Sequence, residues 1–486
     1  MYGITPLHLT ADQPEYFQLL LQAANVRMLD SVNHLPRTVM HYVLELSGTI
    51  CRAQHDELCG PPCPCTKCLE LLFHTECTLS TDSSTMACVL KASLHARFKY
   101  AAEVRNRREK LKRLALQHLT YSEINNFGLH NGNVLDSQTT RVVEQLQIRN
   151  VPVPASLGFN YPHPAEYHHI SVYRFLPRVR DAEIFFSLGF RDFNTVNKLG
   201  FPMLVAIAEK GISLPYLLWL LEHGSQLYHR LDYTSHTHAT QKIQGATSAH
   251  WIFYCIGSRL TYRTRFNNDT ATALDSLQLK IMPVDITDEC HCSCSLGGCS
   301  PFLWMLKTIA RCGDKGYERL ARKFSWYIRY HGSHMTEQRH KESIRFITFE
   351  VLGIQHTCCA GGSCYARVPN YDEEDVKDIQ EDQAFLLEIL EHLVLDFEDK
   401  VTEILERESV DTLAALAEFW TGYWCERIGE VLNELDGCEI APDEKAGAEV
   451  LGVKWENNTP VEIQPQPPKE NQSDVNYWYR RINEIA

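Results

Sequence analysis

Along much of this chain the apolar residues recur at spacings of three and four, the signature of helices with one buried face. Beyond position 300 the pattern predicts helices at roughly 301–311, 316–330, 335–353, 374–408 and 411–435. Phe385, Leu386, Ile389, Leu390, Leu393, Leu395 and Phe397 are expected to pack into a core. Residues 86–119 contain neither Gly nor Pro and read as one long helix, and Val134 to Arg149 read as another, stopped by Val151-Pro-Val-Pro154. Thr120-Tyr-Ser-Glu123 has the form of a capping box. The 86–119 helix is strongly basic, with Arg97, Lys99, Arg105, Arg107, Arg108, Lys110, Lys112 and Arg113. A solvated face is the expected use of those charges. The alternatives are a surface for RNA, phosphoinositide or an acidic partner, or packing against the segment Tyr371 to Glu408, which carries fifteen Asp and Glu.

A repeat underlies the first third. Gly3-Ile-Thr5-Pro6-Leu7-His8-Leu-Thr-Ala11 precedes an apolar helical stretch from Tyr16 to Leu21, and Thr38-Val-Met-His41 restores the Thr-x-x-His spacing 33 residues after Thr5. The chemistry suits a helix start. Thr5 can accept from unpaired backbone N–H groups, and Pro6 at the first helical position forfeits no hydrogen bond. After Gly48 the second copy is interrupted, and its second helix appears only at Cys68 to Phe73, so the intervening cysteine-rich insertion should emerge as a surface loop. Weaker copies follow. Ala182 to Asn194 resembles the end of one repeat, Gly200 to Ala208 matches Gly3 to Ala11 with Val205 in the histidine slot, and Gly245-Ala-Thr247-Ser-Ala-His250 restores Thr-x-x-His.

The period and the Thr-Pro-Leu-His motif resemble the ankyrin-repeat family. That resemblance implies a stacked helical solenoid whose use is protein binding, with His8 hydrogen-bonding neighbouring backbone rather than binding metal or catalysing. The chain opens inside a repeat, with no polar capping repeat before Gly3, so it is expected to be a fragment or an alternative start.

Composition narrows the partners. The 486 residues are 44% hydrophobic and 22% charged, with net charge −14, which disfavours nucleic acid and anionic membranes as partners of the whole surface. The longest apolar run, Leu214 to Leu221, is broken by Pro215, and the N-terminus lacks the basic start and apolar core of a secretory signal. An intracellular location, cytoplasmic or nuclear, is therefore expected, with most of the 18 cysteines as reduced thiols.

Those cysteines cluster. Asp288-Glu-Cys290-His-Cys292-Ser-Cys294-Ser-Leu-Gly-Gly-Cys299-Ser300-Pro301 places up to three alternating thiols on one side of an extended strand. A strand alone cannot surround a tetrahedral ion, so the remaining ligands must come from elsewhere. Ser300 and Pro301 look like a helix start, which sets Cys299 beside a helix N-terminus. The second half is sought in His356-Thr-Cys358-Cys359-Ala-Gly-Gly-Ser-Cys364. A separate site is expected in the insertion, from Cys59, Cys63, Cys65 and Cys68, with His55 as a spare ligand. Structural zinc is the favoured occupant of the paired clusters, against reduced structural thiols, a disulfide or a reactive thiol. The insertion is compatible with its own zinc, with plain core as the alternative for Cys68, which falls on a helix.

Together the Thr-Pro-Leu-His repeats, the C-x-C-x-C-x4-C segment and the later His-Thr-Cys-Cys resemble a group of uncharacterised ankyrin-containing fungal proteins. The expected fold is all-α, a degenerate ankyrin-repeat helical solenoid followed by a mainly helical C-terminal region with cysteine-rich loops. The expected segments are repeats (1–82), a helical connector (83–180), degenerate repeats (181–262), the cysteine clusters (263–365), a helical region (366–459), and a linker with the aromatic tail around Tyr477 to Ile482 (460–486). The expected function is a non-enzymatic scaffold that binds a protein partner through the ankyrin surface. The alternatives are a cysteine-dependent enzyme using His356 with Cys358 or Cys359, and a zinc-dependent nucleic-acid binder. No nucleophile elbow, phosphate-binding Gly loop, dinucleotide fingerprint or HExxH helix occurs in the sequence.

Overall fold

The computed structural model describes residues 4–32, 37–51, 63–157, 171–196, 200–209, 213–231, 245–262, 268–281, 286–311, 316–358, 373–407, 411–436 and 450. The described residues are mostly helical, and among them there is no β-strand, only isolated bridges from Val196 to Pro202 and from Arg230 to Thr247. In chain order the helices are α1 (Pro6–Leu9), α2 (Pro14–Ala23), α3 (Val26–Leu29), α4 (Val39–Ile50), α5 (Lys67–Phe73), α6 (Ser83–Lys91) and α7 (Leu94–His118). Next come α8 (Tyr121–Asn126), α9 (Thr139–Ile148), α10 (Val179–Ser187), α11 (Met203–Glu209), α12 (Leu214–Glu222), α13 (Ser248–Tyr262) and α14 (Asn268–Ile281). The last are α15 (Pro301–Arg311), α16 (Tyr317–His331), α17 (Glu337–Val351), α18 (Glu373–Asp382), α19 (Ala384–Glu406), α20 (Thr412–Phe419) and α21 (Cys425–Asp436). Contacts gather residues up to Ile428 into one unit, and Gly429 begins a second.

Two series of helix neighbours run through the first unit. In one, α1 packs on α4 and α4 on α6; further along, α11 packs on α13, α13 on α15, α15 on α17 and α17 on α19. In the other, α2 packs on α5, α5 on α7, α7 on α10, α10 on α12 and α12 on α14.

The Thr-x-x-His motif explains how successive members of the first series are fastened. The backbone N–H of Thr5, Thr38 and Thr247 donates to Nδ1 of His8, His41 and His250 at 3.2, 3.0 and 3.0 Å. A nitrogen that accepts from backbone N–H carries no proton, so Nε2 must be the donor. It reaches Arg37 O, just before the cap of α4, at 3.2 Å; Thr85 Oγ1 in α6 at 3.1 Å; and Cys299 O, just before α15, at 2.9 Å. Burial lowers the pKa of all three imidazoles, to about 4 for His250, which keeps them neutral for this bridging role.

Ten residues after Thr38 and Thr247 stand Gly48 and Gly257. A Cβ on Gly257 would overlap Met305 O in α15, and one on Gly48 would overlap Lys91 O in α6. Each glycine lets its helix meet the backbone of the next.

Several local expectations need correction. The 86–119 stretch is two helices, because Ser93 accepts the Ala96 N–H at 3.2 Å and starts a new one. Between Val134 and Gln138 the chain is not helical: Val134 N–H donates to Gly189 O at 3.0 Å and the helix begins at Thr139. The 374–408 stretch turns at Gln383, whose side chain accepts the Gln355 N–H at 2.9 Å. The 411–435 stretch carries a π-turn at Trp420–Trp424 that buries both tryptophans. On α19, Leu390, Leu393 and Phe397 are buried, but Phe385 and Leu395 are each 63% exposed. Leu395 stands two residues from both Leu393 and Phe397, and residues two apart do not share a helical face. The Thr120–Glu123 capping box is present as expected.

The basic helix is the largest departure. Arg97, Arg107, Arg108 and Lys112 of α7 are buried rather than solvated. Arg97 pairs with buried Asp181 of α10 at 2.7 Å. Arg107 donates to the carbonyls of Cys77, Phe73 and Ser156, and Lys112 to those of Asn131 and Asn133. Arg107 and Lys112 thus satisfy loop carbonyls inside the fold, and among the described residues the helix's cations pair with Asp181, Glu70 and Glu103. Arg105, Lys110 and Arg113 remain exposed.

Candidate metal centre

Two segments meet between the start of α15 and the end of α17. The first, 288–299, is closed on itself by Asp288. Its backbone N–H donates to Cys299 O at 3.0 Å, while its Oδ1 accepts from Cys299 N–H at 2.6 Å and Cys290 N–H at 3.2 Å. Its Oδ2 accepts from Trp304 Nε1 at 2.9 Å. Gly298 makes the closure possible: its φ is +91°, and a Cβ there would overlap Asp288 O. Ser300 then caps α15 by accepting the Leu303 N–H at 3.2 Å, so Cys299 does adjoin a helix N-terminus. Arg345 of α17 holds the loop from the other side, donating to Ser293 O at 3.0 Å and pairing with Glu391 of α19 at 2.6 Å.

The second segment leaves α17 through Gly353, at φ +70°, and delivers His356 and Cys358 to the first. Glu350, in the last turn of α17, accepts from His356 Nε2 at 2.6 Å, which aims Nδ1 at the sulfurs. Phe349 lies against the imidazole with ring centroids 4.7 Å apart.

The ligand atoms of Cys292, Cys294, His356 and Cys358 all lie within 4.8 Å of one another. Cys292 Sγ to His356 Nδ1 is 3.6 Å, Cys358 Sγ to His356 Nδ1 is 3.4 Å, and Cys294 Sγ to Cys358 Sγ is 4.0 Å. A tetrahedral ion with zinc-like bond lengths demands separations of about 3.8 Å between sulfurs and about 3.5 Å between sulfur and nitrogen. The group can therefore hold a metal ion with little movement. The Glu350–His356 pair supplies the orienting carboxylate that metal-bound imidazoles commonly have.

Charge within the cluster is unusual. Lys307 of α15 is 1% exposed and donates to Cys299 Sγ and Cys358 Sγ, both at 2.9 Å. Burial drives its ammonium toward neutrality, but negative charge on Cys294, Cys299, Cys358 and Cys290 outweighs that and raises its pKa. Hydrogen bonds from Cys290, Cys292, Cys294 and Cys299 hold the Cys358 thiol far below its ordinary value. Burial opposes a charged His356, yet Cys292, Cys358 and Glu350 raise its pKa to about 11. The site thus favours thiolate at Cys358, beside Lys307, while hydrogen bonds to neighbouring sulfurs raise the thiols of Cys290 and Cys294. Three thiolates, a divalent ion and the Lys307 ammonium would sum to zero in a buried volume.

The predicted residues distribute as follows. Cys290, Cys292, Cys294, Cys299, His356 and Cys358 come together, with Cys290 and Cys299 grouped with Asp288 rather than with the tetrad. Cys359 and Cys364 lie outside the described residues, as do Cys59, His55 and the aromatic tail. In the insertion site Cys63 and Cys65 group with Cys51, and Cys63 Sγ lies 3.9 Å from Cys51 Sγ. Cys68 is not in that group; it is buried in α5, and burial pushes its thiol to about 11. Sequence reasoning missed Lys307, Asp288, Glu350 and Cys51. Lys307 had a signal, a lone charge inside the apolar run from Phe302 to Ile309. Cys51 is a predictable partner only once α4 is known to end at Ile50.

No family model matches the chain, and no curated protein matches it. No described helix is long and apolar enough to cross a membrane.

Proposed function

We propose that this chain is a non-enzymatic, intracellular protein–protein interaction scaffold of ankyrin type, pinned in its C-terminal half by a structural zinc ion on Cys292, Cys294, His356 and Cys358. The observation that carries it is the repeated imidazole bridge, in which His8, His41 and His250 each join a capping threonine to the start of the next helix. Such a bridge suits a stack in which each repeat contacts only its neighbours, and stacks of this kind present extended faces to partners. The two series of helix neighbours agree with that arrangement. For the metal, three thiolates with one imidazole are a structural zinc donor set, leaving no open position for substrate.

One observation favours a second reading. Cys358, His356 and Glu350 form a chain of 3.4 and 2.6 Å contacts in the order nucleophile, base and orienting carboxylate. Against it, Cys358 is 1% exposed, and the surface cavity of about 650 Å³ beside the loop is lined by Asp288, Cys290, Cys292 and Arg345 but not by Cys358.

Purification under reducing conditions, with metal analysis and isolation of bound proteins, tests the proposal. About one zinc per tetrad is expected, with a bound protein that re-forms a defined complex from purified components. Less zinc than that overturns the metal part of the proposal, and rapid alkylation of Cys358 in the folded protein overturns it in favour of the enzyme.

A further inference from the structure

Among the described residues five thiols and one imidazole converge at the clasp, and a four-coordinate ion on the tetrad leaves two of those thiols over: Cys290 and Cys299. Their sulfurs are 3.2 Å apart, already inside van der Waals contact. The backbone N–H groups of both residues donate to the same oxygen, Asp288 Oδ1, which fixes the two main chains side by side. A disulfide needs the sulfurs at about 2.05 Å, so closing the bond takes an approach of about one ångström. Access is one-sided. Cys290 is half-buried and borders the surface cavity, whereas Cys299 is fully buried and is held from behind by Lys307.

We infer that Cys290 and Cys299 form a reversible thiol–disulfide pair, oxidised by hydroperoxides that enter through the cavity beside the 288–299 loop. Hydroperoxide oxygen is transferred to Cys290 Sγ: the S–O bond forms, the O–O bond breaks, and an alcohol or water departs. Cys290 thereby becomes a sulfenic acid, oxidised by two electrons, and the peroxide is reduced. Cys299 Sγ then attacks that sulfur; the S–S bond forms, the S–O bond breaks, and water leaves with the hydroxyl group and the Cys299 thiol hydrogen. Two thiols and one hydroperoxide become one disulfide, one alcohol or water, and one further water. Reduction by an external dithiol reverses the change. Lys307 loses one sulfur partner on oxidation and keeps Cys358.

The inference rests on the metal reading only in that the ion occupies Cys292, Cys294 and Cys358. The test uses the full-length, metal-loaded protein treated with hydrogen peroxide, alkylated while folded, then denatured, digested without reduction and sequenced by mass spectrometry. Expected is a disulfide joining Cys290 to Cys299, reversed by a dithiol, with zinc retained. Cys290→Ala should abolish both the disulfide and the matching consumption of peroxide while keeping its zinc, which also shows that the variant has folded. A Cys290 that stays alkylatable after peroxide, or that pairs with Cys292, Cys294 or Cys358 instead, overturns the inference. Zinc content is scored on the same sample before oxidation, so a chain without zinc sinks the metal reading alone, and the Cys290–Cys299 linkage is still decided.

Discussion

Lys307 Nζ lies 2.9 Å from Cys358 Sγ, placing a fully buried ammonium on a sulfur of the proposed metal tetrad. A Cys3His centre around a divalent ion carries one surplus negative charge, and a charge without a partner is costly in a buried site. Replacing Lys307 by Met keeps the volume and removes the compensating charge. Zinc affinity should fall about 10- to 100-fold, the usual range for loss of a group that supports the ligands. Competition with a chromophoric chelator measures it, and an unchanged affinity would show that the ammonium has only a packing role.

Metal removal should loosen the molecule locally. The tetrad joins the loop that precedes α15 to the segment that follows α17, so chelation at neutral pH should release amide protection at 288–300 and 350–358. Helices α4 and α6, far along the chain and joined through His41, should keep theirs. Hydrogen exchange with and without chelator separates these outcomes. Uniform loss across both regions would mean that the ion supports the whole fold rather than a clasp.

Much of this architecture was legible in the residues, for identifiable reasons. Thr-x-x-His carries its own geometry, because a capping residue and an imidazole three positions later can only meet at a helix start. The pairing of the 290s with His356 and Cys358 was also legible, since alternating cysteines cannot close a tetrahedron alone. The fate of α7 was not. Eight cations on a helix read as a solvated face, and only the packed structure shows carbonyls of Phe73, Cys77 and Asn133 waiting for Arg107 and Lys112. Local sequence cannot announce a loop carbonyl that a distant side chain will satisfy. Asp288 was hidden in the same way, as its partners are backbone groups of Cys290 and Cys299.

Gly48 and Gly257 should be intolerant of alanine. In an open helix interior Gly→Ala stabilises by about 1 kcal/mol. Here the new methyl would overlap Met305 O in the case of Gly257, and backbone cannot rotate away. The helices must separate, so Gly257→Ala should destabilise by about 1–3 kcal/mol despite its better propensity. Gly422, with nothing near its Cβ position, is the control and should show no such loss. Urea unfolding followed by circular dichroism gives the sign for each.

Asp136 makes stability depend on pH. Burial, reinforced by Asp192, pushes its carboxyl up to about 7, while its Oδ2 still accepts the Val172 N–H at 3.0 Å. A raised carboxyl pKa means that the folded state binds the extra proton between the unfolded value and about 7. Its contribution is therefore most favourable at low pH, declines as pH rises through that window, and stays at its minimum above it. The penalty at pH 8 is at most on the order of 4 kcal/mol. Asp136→Asn keeps an acceptor for Val172 and removes the charge. The variant should unfold at higher urea than the parent at about pH 8, with the advantage shrinking toward about pH 5. A constant difference across that range would mean the carboxyl does not titrate there.

The imidazole bridges should differ in worth according to burial. His250 is wholly buried, and its two nitrogens satisfy the Thr247 N–H and the Cys299 carbonyl in surroundings that exclude water. Truncation to alanine leaves the Thr247 N–H unpaired, at about 1–3 kcal/mol, while Cys299 O keeps its bond from the Asp288 N–H. His8 makes the same two kinds of contact, but its bonds to Thr5 and Arg37 are only part-buried, so water can replace the ring. The free energy of local opening, read by amide exchange at Thr247 and along α15, should drop by about 1–3 kcal/mol in His250→Ala. The same measurement at Thr5 and along α4 should drop by less than half as much in His8→Ala. Because His250 also holds Cys299 in place, His250→Ala should expose the Cys290–Cys299 loop to exchange while His8→Ala leaves it protected. Equal losses at the two sites would mean that the bridges are secondary to helix packing, and that Thr-x-x-His marks the repeats without fastening them.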